Sequence, residues 1–170
     1  GIDIYDPNCT SAGNYFELVR DTWVSNKYCF DKFYPDNSAG ITTEILAQYD
    51  ILWLNLILYN FSAAEILEVR SWVENGGSLL ICGDNPNPSL HPYYYIINNI
   101  TETWGLSINL TTSPSGLYTE QLSPHLLTEG ITQITAASPG VVNYHSPAYP
   151  IWNSSNHQPL VCVVEPGAGK

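Results

Sequence analysis

The chain has 170 residues and a mass of 18.9 kDa, enough for one domain with an ordinary core. Five Lys and Arg against sixteen Asp and Glu give a net charge of −11, which excludes a nucleic-acid footprint and adhesion to anionic membranes. Apolar residues at 44% are too many for a disordered chain, and no apolar run reaches the roughly 20 residues of a membrane span.

Gly1 to Tyr5 reads as a short strand, and Asp6-Pro7-Asn8 turns it. From Asn14 onward Phe16, Val19 and Trp23 recur at helical spacing until Ser25-Asn26. Lys27 to Tyr34 alternates like a second strand, ended by Pro35-Asp36-Asn37. Thr42 to Gln48 suits a short helix. Ile51-Leu52-Trp53-Leu54 is the continuous apolar run of a central parallel strand covered on both faces.

Ser62-Ala63-Ala64-Glu65 has the spacing of a capping box, in which hydroxyl and carboxylate each satisfy a free backbone N–H at the start of a helix. Ile66, Val69 and Val73 make its buried stripe, widened by Leu67 and Trp72, and Asn75-Gly76-Gly77 ends it. Ser78 to Cys82 follows as another buried strand. Pro92 opens a helix carrying Ile96, Ile97, Ile100 and Trp104, closed by Gly105, and Leu106 to Leu110 is the next strand.

Alternating strands and helices with short Gly/Pro punctuation predict an α/β fold: a three-layer, flavodoxin-like, mostly parallel sheet with helices on both faces. After Thr111 the texture turns to Ser, Thr, Pro and Gly, an irregular C-terminal third ending in the strand Pro159 to Glu165. Residues 1–170 read as a single domain without internal repeats. Its stability is expected from the strands 51–54, 79–82 and 160–164 between two helix layers.

Asn-x-Ser/Thr sequons stand at Asn8, Asn60, Asn99, Asn109 and Asn153, about twice the number that composition alone would give. With four Cys and scarce Lys they predict an exported, glycosylated, extracellular or cell-surface chain carrying N-linked glycans. Cys9 and Cys29, in polar surroundings, are the candidate disulfide. Cys82 and Cys162 lie inside apolar strands and read as buried thiols. No C-x-x-C spacing points to zinc.

Tyr49-Asp50-Ile-Leu-Trp-Leu, Ser62-Ala-Ala-Glu65 and Trp72-Val-Glu-Asn-Gly76-Gly77-Ser-Leu-Leu-Ile-Cys-Gly83-Asp84 resemble the middle of a class I glutamine amidotransferase-like domain, in its non-amidotransferase, ThuA-like and surface-module branch. Ser123-Pro-His-Leu-Leu-Thr-Glu-Gly130-Ile and Pro159-Leu-Val-Cys-Val-Val-Glu-Pro-Gly167-Ala-Gly169-Lys170 resemble two later elements of that family. The resemblance implies that a catalytic member carries a Cys nucleophile on the turn after the strand that follows the Gly-Gly helix end. Here that position reads Gly83 or Asp84, neither a thiol nor a hydroxyl. The family's closing turn leads into a further strand, so the resemblance also implies a longer chain whose C-terminal sheet edge pairs with that remainder or with another subunit.

Three functions follow as expectations. The leading one is a non-catalytic, glycosylated extracellular module with a structural or adhesive role in a cell-surface or filamentous assembly. The second is a hydrolase using Cys82 or an Asp84/His145 pair. His91, His125, His145 and His157 all lie in Pro-, Ser- or Asn-rich stretches, and of these His145 is the catalytic candidate. The third is a carbohydrate- or Ca²⁺-binding module. Tyr93-Tyr94-Tyr95 with Trp104 and Trp152 would form its sugar platform, unless they are core. Asp6, Asn55, Asp84, Asn85 and Asn87, at the carboxyl ends of strands, would line the ligand crevice of an open α/β sheet. Their oxygens suit Ca²⁺, though Asp and Asn equally serve turns, and no other cofactor is implied.

Overall fold

The computed structural model describes residues 2–4, 21–29, 31–33, 40–55, 60–83 and 91–167. The chain divides into two compact units, residues 1–82 with 167–170 and residues 83–166. In the first unit Ile2–Ile4 (β1), Asp31–Phe33 (β2), Ile51–Asn55 (β3) and Ser78–Cys82 (β4) form one sheet in the order β2-β1-β3-β4. Every pairing in it is parallel. Leu52, Trp53 and Leu54 are all buried. Successive strand residues point to opposite faces, so β3 is covered on both, as its apolar run requires.

Two helices brace this unit, Thr43–Leu46 (α1) and Ala63–Glu74 (α2), which pack against each other. The capping box at the start of α2 forms as predicted: Glu65 N–H donates to Ser62 Oγ at 3.2 Å, and Ser62 N–H donates to Glu65 Oε2 at 2.8 Å. The other carboxylate oxygen reaches beyond its own helix. Oε1 of the buried Glu65 accepts from Ile41 N–H at 2.9 Å. This close approach needs Gly40, whose φ is +62° and where a Cβ would stand 2.8 Å from Glu65 Oε1. Ile41, Leu46, Val69 and Val73 are buried around this joint.

Two details of the first unit differ from the sequence pattern. Leu67 is 62% exposed, because the stripe through Val69 and Val73 already fills the buried side of α2. Lys27 has φ +69° in the turn after the helical residues 21–25, a conformation no strand contains, so the described part of β2 is confined to Asp31–Phe33.

The second unit is built differently. It holds the helix His91–Thr101 (α3) and the strands Leu106–Thr112 (β5), Gly116–Tyr118 (β6), Glu120–Gln121 (β7), Ile134–Ala136 (β8), Gly140–Tyr144 (β9), Tyr149–Asn153 (β10) and Pro159–Val163 (β11). β5 pairs with β9, β6 with β8, and β10 with both β7 and β11; every one of these pairings is antiparallel. The fold is therefore mixed α/β, with a parallel sheet in one unit and small antiparallel sheets in the other. The expected continuation of the parallel alternation through 106–110, and of 160–164 as a third strand of the same kind, is corrected here.

β5 is bordered by α3 as well as paired with β9. Asn98 of α3 accepts from Ile108 N–H at 2.7 Å through Oδ1 and donates to Ile108 O at 3.2 Å through Nδ2. Thr101 Oγ adds a bond to Leu106 O at 2.8 Å. A side-chain amide with one donor and one acceptor thus takes the place of a neighbouring strand along β5. Ile96, Ile97, Ile100 and Trp104 are buried as the helical spacing predicts. The chain turns from α3 into β5 at Gly105, φ +84°, where a Cβ would lie 2.3 Å from His145 O. No residue with a side chain fits there.

Two outcomes follow for stability. Glu65→Ala leaves the Ile41 and Ser62 N–H groups without their shared carboxylate, and should cost about 2–4 kcal/mol in a urea titration, against about 1 kcal/mol for Ser62→Ala. Cys162 on β11 is a free thiol that burial pushes from 9.0 up to about 12. Its folded-state value is raised, so the unfolded chain ionises first, and the stability due to the neutral thiol declines as pH rises above about 9. Differential alkylation read by peptide mass should find Cys162 about a thousandfold slower than an open thiol at pH 8.5, and Cys162→Ala should flatten the alkaline loss of stability.

Candidate functional site

β1, β3 and β4 run parallel and end at Ile4, Asn55 and Cys82, with Asn55 and Cys82 in register. Their carboxyl ends share one edge, where an open α/β sheet binds its ligands. Asp6, Asp84, Asn85 and Asn87, the sequence candidates for this crevice, lie outside the described residues, as does the side chain of Asn55. Asn8 and Cys9 lie outside them too. Cys29 is exposed.

Cys82, the last residue of β4, is half-buried, and its Sγ accepts the indole N–H of Trp53 at 3.3 Å. Trp53 pairs with Leu80, so Cys82 is its diagonal neighbour on the same face of the β3–β4 pair. Trp53 in turn lies against Trp23, with ring centroids 5.9 Å apart. The contact described for this sulfur is thus an indole N–H, whereas a nucleophilic cysteine is activated by an imidazole or another base.

The histidines are equally bound into local structure. His91 opens α3 rather than standing in a loop, and its side chain lies outside the description. His125 caps the 3-10 turn Leu126–Thr128: its Nδ1 accepts from Leu127 N–H at 3.1 Å. Its backbone N–H and carbonyl both meet Thr128 Oγ1. His145 has Nδ1 3.1 Å from Ser146 O, which places the ring proton on that nitrogen.

His157 is the member that sequence reasoning passed over. It is held at φ +60°, and its Nδ1 lies 2.9 and 3.0 Å from the two carboxylate oxygens of Glu120. A carboxylate at Nδ1 orients the imidazole and leaves Nε2 outward, the first half of a proton-transfer relay. Ser154, three residues before His157, does not complete one. Ser154 is fully buried and donates to Asn156 Oδ1, which also receives Ser113 Oγ at 3.1 Å. Its proton is committed to an amide oxygen. No sequence motif joins Glu120 to His157; the signal is the register that sets Glu120 opposite Asn153, four residues before His157.

The remaining candidates separate by burial. Asn60 and Asn99 are exposed, and Asn109 is half-buried with its Nδ2 donating to Asn143 Oδ1 at 3.0 Å. Asn153 is 7% exposed and its Oδ1 is buried with no hydrogen-bond partner, so a glycan does not fit there in the folded chain. Tyr94, Trp104 and Trp152 are core residues, which removes three of the five members of the aromatic platform. Among the described residues no group of three or more His, Cys, Asp or Glu converges as a metal site. No described helix is long and apolar enough to cross a membrane.

No family model matches the chain, and no curated protein matches it in sequence. Solved structures do match. The mmIFT52 N-terminal domain is 14% identical with a TM-score of 0.71, over 97% of this chain and 76% of that one. A ThuA-like protein from Bacteroides uniformis is 13% identical with a TM-score of 0.62, over 91% of this chain and 66% of that one. The exo-β-1,4-mannosidase Op5Man5 from an Opitutaceae bacterium is 16% identical with a TM-score of 0.57; 99% of this chain corresponds to 30% of that much longer one. What the chain shares with all three is the fold.

Proposed function

We infer that this chain is a non-catalytic, N-glycosylated module of an extracellular or cell-surface protein, with a structural or adhesive role among other subunits or within a longer chain. The observation that carries the reading is Cys82: the thiol at the end of β4 is half-buried and accepts the indole N–H of Trp53. His125 and His145 being engaged in capping and carbonyl contacts supports it.

The exposed sequons at Asn60 and Asn99 supply glycan acceptors. A module role is favoured by the mannosidase match, in which a chain of this length corresponds to less than a third of a larger protein. The parallel order β2-β1-β3-β4 agrees with the start of the flavodoxin-like order, and with the ThuA-like neighbour it supports the reading of a three-layer member of the glutamine amidotransferase-like superfamily.

Intact mass of material from the native source tests the reading. Peptide N-glycosidase treatment should remove glycan mass and convert Asn60 and Asn99 to Asp, while Asn153 stays unmodified. Native material carrying no glycan at any sequon would overturn the exported reading. Turnover of an amide or glycoside substrate that is lost in Cys82→Ala would overturn the non-catalytic one.

A further inference from the structure

The 3-10 turn after β7 displays two adjacent leucines to solvent, Leu126 at 79% and Leu127 at 64% exposure. They are not on a loose tip. His125 Nδ1 holds Leu127 N–H, Gln121 Nε2 donates to Thr128 Oγ1 at 2.7 Å, and Ile131 N–H donates to Thr128 O at 3.0 Å. The same bonds set the exposed Leu122 and Ile131 beside the turn, and the His125 ring meets the exposed Tyr149 edge-on at 6.3 Å. The result is a fixed apolar knuckle on the surface of the second unit. A surface already held in its binding shape loses little conformational freedom on docking.

The charge around it selects the occupant. Residues 83–166 contain no Lys or Arg; every basic residue of the chain lies at 20, 27, 32, 70 or 170. Glu129, exposed, closes the leucine turn, and its N–H donates to Leu126 O at 3.3 Å. A second copy of this chain would bring another −11 and another face without cations. Anionic bilayers and nucleic acids are repelled for the same reason.

We propose that the knuckle Leu122, Leu126, Leu127, Ile131 and Tyr149 is a docking surface for an amphipathic helix of a protein partner, its apolar face flanked by Lys or Arg. The leucines would pack on that apolar face, and Glu129 would meet the flanking cations. The surface stands whether or not the sequons carry glycans and whether or not the chain has lost its catalytic chemistry.

The probe is a fluorescein-labelled 14-residue amphipathic helix of Leu and Lys, with the Leu and Glu counterpart as control, followed by anisotropy on the full chain. The Leu/Lys helix should bind saturably. Leu126→Ser/Leu127→Ser should weaken binding at least tenfold with unchanged circular dichroism and melting temperature, since both side chains stand in solvent. Glu129→Lys should weaken it several-fold at low salt and little at high salt. Four results overturn the proposal: no saturable binding, binding that the leucine pair variant leaves intact, equal binding of the Leu/Glu helix, or a concentration-dependent dimer in sedimentation that the leucine pair variant abolishes. The last would assign the surface to a second copy.

Discussion

One carboxylate ties the first unit together. Glu65 satisfies the backbone at the start of its own helix with one oxygen and the backbone of Ile41, twenty-four residues earlier, with the other. A buried carboxylate is tolerable only when its oxygens are occupied, and here both are filled by N–H groups the fold must satisfy in any case. The bond fixes where the turn at Gly40 lies relative to α2, and Gly40 leaves the room it needs. α1 follows within three residues and packs on α2 beside that joint. Position, burial and capping are thus settled by a single side chain.

Much of this was legible in the chain because it rests on local chemistry. The Ser62/Glu65 spacing announces the helix start, the run at 51–54 announces a strand covered on both faces, and Ile96, Ile97 and Ile100 announce a buried helical side. Legibility ended where tertiary hydrogen bonds replace the regular ones. Nothing in the spacing of Asn98 and Ile108 reveals that an amide will stand in for a strand, so β5 read as one more parallel member. β10 shows a second limit. Register shifts on either side of Trp152 bury Ile151, Trp152, Asn153 and Ser154 in succession, and a period of two cannot anticipate that. Burial of Asn153 is why one sequon of the described four is closed.

The site followed the same division. That the turn beyond β4 carries glycine and aspartate is a matter of sequence, but the fate of Cys82 is a matter of packing. Its alternation placed it on a strand face, and the structure sets the indole of Trp53 against it there. The Glu120–His157 pair was unreadable for the converse reason, since thirty-seven residues and two strand pairings separate its members. Among the described histidines, His125 and His145 make hydrogen bonds within turns.

The amide fork of Asn98 has a consequence for how the molecule behaves in company. A β-strand whose N–H and C=O groups face outward is a template on which another chain can grow, and the second unit has neither lysine nor arginine to discourage such growth. By occupying both polar groups of Ile108, Asn98 spoils the template at the middle of the longest strand in that unit. A side chain therefore does the protective work that a gatekeeping cation does elsewhere, and it does so without adding charge to a surface that is otherwise free of positive residues.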